Sequence, residues 1–152
     1  MDLPEMGADR PDPMAFGAAL GPGLGLNLLV ADLPRAARWQ VAALGARILY
    51  WEADFAVMEA AGARWLLHSD RSYRAHPLRG AVADAPARGL GAEFRLYGLD
   101  PDAAEARARD LPEGAVLAPA ADKPHGLREA HLVDPEGYVW VPSTPLAGAA
   151  RR

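Results

Sequence analysis

Glu93, Arg95 and Tyr97 alternate with Phe94 and Leu96, so an extended chain puts the three polar side chains on one face and the apolar pair on the other. A carboxylate, a guanidinium and a phenol side by side can hold a polar ligand. Glu93 would also act as a general base if its surroundings raised its pKa. The competing reading is a Glu–Arg pair that satisfies itself. Four histidines accompany them: His68 at the end of an apolar run, His76 in Arg74-Ala-His-Pro, His125 in Lys123-Pro-His-Gly, where it would border a pocket, and His131 within a later apolar run. None shows the His-x-x-x-His or His-x-His spacing of a metal motif. Trp65, Tyr97 and Trp140 are expected to line a cavity, because flat rings bind planar ligands at small cost in rotamer freedom. Asn27 on the first strand and Arg128 at the rim, beside Glu129, complete the ligand-binding candidates.

With 16 basic and 20 acidic residues the net charge is -4, which offers no positive field to gather phosphates, and nucleic acid is not an expected partner. The absence of cysteine excludes disulfides, thiolate nucleophiles and Cys-ligated metal sites. No apolar run approaches the length of a membrane span. The first residues are acidic and broken by proline, unlike a secretory leader, so a cytoplasmic protein is expected. Gly21-Pro-Gly-Leu-Gly precedes a strand and lacks a Lys-Ser/Thr ending, which removes a phosphate loop.

The elements that must position these groups occur twice. Gly25-Leu-Asn-Leu-Leu-Val-Ala-Asp and Glu93-Phe-Arg-Leu-Tyr-Gly-Leu-Asp each run from an alternating strand through an Asp into an Ala-rich helix. Asp32 and Asp100 read as N-caps with proline in the first turn, and Gly45 as the left-handed stop of the first helix, on which Trp39 is expected to pack against the sheet. Three strands are predicted after each helix, over 46–52, 55–60 and 63–68, then 115–121, 127–133 and 138–142; the first strand is predicted over 24–30. Asp134-Pro-Glu-Gly137 supplies a hairpin turn. The organisation predicted is therefore an N-terminal arm (1–22), a first βαβββ module (23–68), a linker (69–91) bearing Arg71, Arg74 and Arg79, a second module (92–146) and a short tail (147–152). The fold class is α+β: two tandem modules forming a curled, cup-like mixed sheet with helices outside, and a ligand cleft where the halves meet.

This duplicated unit, with Asp-Leu-Pro-Arg-Ala-Ala-Arg-Trp and Ala-Leu-Gly-Ala in the first half and Asp-Pro-Glu-Gly-Tyr-Val-Trp in the second, resembles the vicinal oxygen chelate superfamily of glyoxalases, bleomycin-resistance proteins and dioxygenases. Pro124-His-Gly-Leu-Arg-Glu-Ala looks most like the bleomycin-resistance branch. The resemblance implies a homodimer and, in members that do chemistry, a divalent metal on strands one, four, five and eight. Those positions fall on Gly25, on Leu66 or His68, on Glu93 and on Val141. At most two carry a donor atom, whereas a catalytic site needs about three protein ligands. No cofactor is therefore expected, and a divalent metal is disfavoured. The expected function is metal-independent sequestration or sensing of an aromatic or amphipathic small molecule, to which the net acidity would suit a cationic drug. The alternative is a metal-dependent lyase, isomerase or dioxygenase, or a metal-free enzyme with Glu93 as base.

Overall fold

The computed structural model describes residues 12–82, 85 and 88–147. Its elements are α1 (Pro13–Ala18), β1 (Asn27–Val30), α2 (Leu33–Leu44), β2 (Arg47–Glu52), β3 (Phe55–Ala60), β4 (Ala63–Ser69), α3 (Arg79–Val82), β5 (Glu93–Tyr97), α4 (Pro101–Arg109), β6 (Ala115–Asp122), β7 (Leu127–Val133) and β8 (Val139–Pro145). Two four-stranded mixed sheets result, ordered β1-β4-β3-β2 and β5-β8-β7-β6, and neither closes into a barrel. In each, the strand that precedes the helix runs parallel to the last strand of its module, β1 beside β4 and β5 beside β8.

The helices form where the caps require. The Asp32 carboxylate accepts from the Arg35 amide at 3.0 Å and opens α2; Gly45, at φ 66°, closes it. Asp100 does the same for α4, accepting from the amides of Asp102 and Ala103 at 2.9 and 3.2 Å. The apolar face of α2, including Leu33, Ala36, Ala37 and Leu44, is wholly buried. Two helices lie in stretches that show no sequence period. In the arm, Asp12 caps α1, and Phe16 packs edge-on against Phe55 with ring centroids 6.0 Å apart. In the linker, α3 is a single turn. The first strand starts at Asn27, later than predicted, so Gly25 precedes it and Leu24 stands 99% exposed.

The halves meet through their helix-bearing sides, where α2 packs on α4 and Arg35, Arg38, Trp39 and Ala42 of the first half face Leu111, Pro112 and Glu113 of the second across a shallow groove. Trp65 on β4 and Trp140 on β8 meet with ring centroids 4.9 Å apart and planes tilted by 48°, and the Arg107 guanidinium of α4 donates to the Ala43 carbonyl of α2 at 3.1 Å. A polar chain runs through the same region. The Trp65 indole donates to Gln40 Oε1 at 2.9 Å, Gln40 Nε2 donates to Asp134 at 3.4 Å, and the Trp140 indole donates to the same carboxylate at 3.0 Å. The Tyr138 phenol, pushed up to about 12 by burial, donates to the Leu29 carbonyl at 2.8 Å. Arg88 is clamped by Asp70 at 2.6 and 2.8 Å and approaches Glu136 at 3.4 Å.

Trp39 is buried in the core, and its indole donates to the Glu113 carbonyl at 2.9 Å, in the loop before β6. Gly114 follows at φ 77°, and a Cβ there would lie 2.5 Å from Trp39 Nε1 and 2.6 Å from the Val133 carbonyl oxygen. Gly114→Ala is therefore expected to lower stability by about 1–3 kcal/mol through overpacking and left-handed strain, read as a drop in the urea midpoint at unchanged slope.

Candidate functional site

Pleating assigns each sheet one face toward the helices and one away from them. In the second sheet the helix side carries Phe94, Leu96, Ala130, Leu132 and Trp140, all part of or packed on the core. The outer side carries Glu93, Arg95 and Tyr97 from β5, Val139, Val141 and Ser143 from β8, and Glu129, His131 and Val133 from β7, as the strand registers require. The alternation read from Glu93, Arg95 and Tyr97 thus places them together on the outer face.

A continuous charged row crosses that face. His131 Nε2 lies 3.4 Å from Glu93 Oε1, Arg95 bonds Glu93 Oε2 at 3.2 Å and Glu129 Oε1 at 2.5 Å, and His125 Nε2 lies 3.0 Å from Glu129 Oε1. Glu129 is 1% exposed. Burial pushes its carboxyl up, but the bonds from His125 and Arg95 outweigh this and hold it below the usual carboxylate range. Glu129 also raises the Arg95 guanidinium, so both stay charged at neutral pH. Glu93 keeps 45% of its side chain exposed, and His131 Nδ1 is buried without a hydrogen-bond partner.

Above Glu93 the face opens into a hollow of about 740 Å³. Its walls are the 89–92 loop with Leu90, then Leu117 and Ala118 of β6, and Val139, with Glu93 and His131 as its side-chain polar groups. This size and makeup, a mostly apolar lining with a few polar groups, suits a small molecule.

The remaining candidates divide between other places. Trp65 and Trp140 are 2% and 0% exposed in the core between the halves, so neither lines this hollow; their indole N–H groups are satisfied internally. Arg128 points the other way from its neighbour Glu129 and is bound by Asp102 at 2.6 Å and Asp122 at 2.8 Å, which ties β7 to α4 and not to the site. Tyr97 is 60% exposed on edge strand β5. Asn27 and His68 lie on the outer face of the first sheet. There the Asn27 amide bonds the Tyr73 phenol, and the His68 ring sits 4.7 Å from Phe55 and 4.6 Å from Tyr73. Burial lowers the His68 pKa, against the pull of Glu52. Among the described residues no hydrogen bond, ion pair or ring contact joins Asn27 or His68 to Glu93 or Arg95.

A metal does not fit the donors present. Gly25 has no side chain, Val141 is a buried aliphatic, and Leu66, not His68, is the register partner of Asn27. Glu93 and His131 make a pair, and among the described residues no group of three His, Cys, Asp or Glu side chains could hold an ion.

The fold as a whole matches solved structures. A glyoxalase/bleomycin resistance protein/dioxygenase from Nocardioides aligns at 19% identity and TM-score 0.58, over 89% of this chain and 93% of that one. The chain has the vicinal oxygen chelate fold. A glyoxalase-related enzyme from Fulvimarina pelagi shares that fold at 18% identity and TM-score 0.63, over 87% and 96%. TioX from Micromonospora sp. ML1 does so at 20% and 0.60, over 84% and 98%. No family model matches the sequence, and no curated protein does. No helix among the described residues is long and apolar enough to cross a membrane.

The sequence put Glu93 and Arg95 on one face, with Tyr97, gave His125 only as bordering a pocket, and showed Glu129 only as part of a rim pair. The signal for Glu129 was present: it alternates with Ala130 and shares a face with His131. Leu90 and Leu117 gave no such signal, since they join the site only through loop placement and strand pairing.

Proposed function

We propose that this chain binds an amphipathic or aromatic small molecule in the hollow above Glu93, without a metal, and acts by sequestering or sensing it. The observation that carries this reading is the hollow itself: an apolar wall of Leu90, Leu117 and Val139 facing one exposed carboxylate, on a face whose other charges are already paired. The neighbour described as a glyoxalase/bleomycin resistance protein/dioxygenase is compatible with either a binding role or turnover, and the glyoxalase-related enzyme keeps turnover in view. A homodimer belongs to the same proposal. Edge strands β1 and β5 each have one unpaired side, and Leu24, Leu90 and Tyr97 near them are largely exposed.

The test is a thermal-shift screen of amphipathic aromatic compounds against the purified chain, with the oligomeric state read by light scattering. Ligands that raise the midpoint in a concentration-dependent way and return unchanged support sequestration. Chemical conversion of a bound compound, abolished by Glu93→Gln, replaces it with the metal-free enzyme that uses Glu93 as base.

A further inference from the structure

We infer that this hollow selects ligands carrying a protonated nitrogen on an apolar body, and that Glu93 is the anchor that makes the selection; the inference rests on the small-molecule reading above. Among the described residues that line the hollow, Glu93 is the only Asp, Glu, Lys or Arg. The two guanidiniums nearest in sequence to those linings are already paired with carboxylates. Arg95 bonds the buried Glu129 at 2.5 Å and Glu93 at 3.2 Å. Arg88, next to Gly89, is 5% exposed and held by Asp70 at 2.6 Å, with Glu136 at 3.4 Å. An anionic ligand therefore meets a carboxylate and finds no free Lys or Arg among the described lining residues to offset it.

The row Glu93–Arg95–Glu129 holds two carboxylates against one guanidinium, leaving one formal negative charge on these three side chains. Glu129 is sealed at 1% exposure, so the uncompensated charge reaches solvent at Glu93, whose carboxylate is 45% exposed at the floor of the hollow. Arg95 and His131 approach that carboxylate at 3.2 and 3.4 Å, longer than the best charge-assisted bonds, so Glu93 retains accepting capacity for a ligand N–H. The rest of the ligand meets Leu90, Leu117 and Val139, of which Leu90 and Leu117 are 84% and 58% exposed and gain by being covered. One cationic head and one apolar body are the complement of this surface.

Three probes of one shape separate charge from burial: 2-naphthylmethylamine, cationic at pH 7, its neutral alcohol 2-naphthalenemethanol, and anionic 2-naphthoic acid. Titration calorimetry on the intact chain is expected to show the amine binding about tenfold or more tighter than the alcohol, with the acid weakest. Glu93→Gln should remove the gap between amine and alcohol and leave the alcohol's affinity in place. Leu117→Ala should weaken amine and alcohol by a similar factor, because it trims the wall and not the charge. Equal binding of amine and alcohol by the wild-type chain, or an amine preference that survives Glu93→Gln, overturns the selectivity while the small-molecule reading stands. Failure of all three probes to bind overturns both.

Discussion

Asp134→Ala is expected to lower unfolding free energy by about 3 kcal/mol, seen as a lower midpoint in urea with the slope unchanged. The carboxylate is 3% exposed and accepts four hydrogen bonds: from the Glu136 and Tyr138 amides at 3.0 and 2.9 Å, the Trp140 indole at 3.0 Å and Gln40 at 3.4 Å. Alanine leaves those donors buried with no acceptor, each a cost of about 1–3 kcal/mol before relaxation. The full sum is not reached, because the carboxylate carries its own penalty: burial pushes its pKa up even against the four bonds. The sign for pH follows. A raised folded-state pKa means Asp134 favours folding most below its unfolded value, and that contribution is lost as pH rises through the folded value. The deficit of Asp134→Ala relative to wild type should therefore be larger at pH 3 than at pH 7, provided both are compared where they remain folded. A deficit that stays flat with pH would show that Asp134 does not titrate differently in the two states.

That effect was hidden in the sequence for a physical reason. Asp134-Pro-Glu-Gly137 reads as a hairpin turn, and a turn it is, with the Gly137 amide bonded to the Asp134 carbonyl at 3.0 Å. Nothing local tells that the same Asp turns its side chain inward to hold Trp140 and, through Gln40, Trp65. The repeat, the caps and the strand order were legible because each depends on neighbours in the chain: period-two alternation, Asp before Pro, Gly at a helix end. Strand β7 matched its expected limits, while β1 shrank because Gly25 and Leu24 sit beyond the register with β4. Trp65 and Trp140 were assigned to a cavity because an aromatic on an alternating strand has two faces to choose from. Which face is inside depended on the packing of the halves, and these pack helix side to helix side. The outer row was half visible. Alternation found Glu93 and Arg95, but the partner that commits Arg95 comes from β7, a long-range pairing that one strand's pattern does not contain.

Arg95→Met should be the informative disruption of that row. Glu129 is buried, and Arg95 is its closest charged partner at 2.5 Å; removing the guanidinium leaves a carboxylate with His125 alone. Losing one member of a fully buried pair costs about 3–5 kcal/mol. Here about 2 kcal/mol is expected at pH 7, since Arg95 is 30% exposed and His125 stays. In the wild type the Glu129 pKa is held down, so its contribution is present above the unfolded value and lost as pH falls through the folded one. In the variant, burial acts with less opposition and the Glu129 pKa moves up. The variant should then gain stability relative to wild type as pH is lowered from 7 toward 4, by taking up a proton at Glu129 that the wild type refuses. Arg95→Met with Glu129→Leu should recover most of the loss at pH 7 and remove its pH dependence, because no buried charge remains. If the single variant is as stable as wild type at pH 7, or the double variant is no better than the single, then Glu129 is not held by Arg95 and the outer face keeps a free guanidinium. That same result would leave Arg95 free to meet an anionic group beside Glu93 and so remove the premise from which a cation-selective hollow was inferred, so the stability of a residue pair and the choice of ligand stand on one interaction.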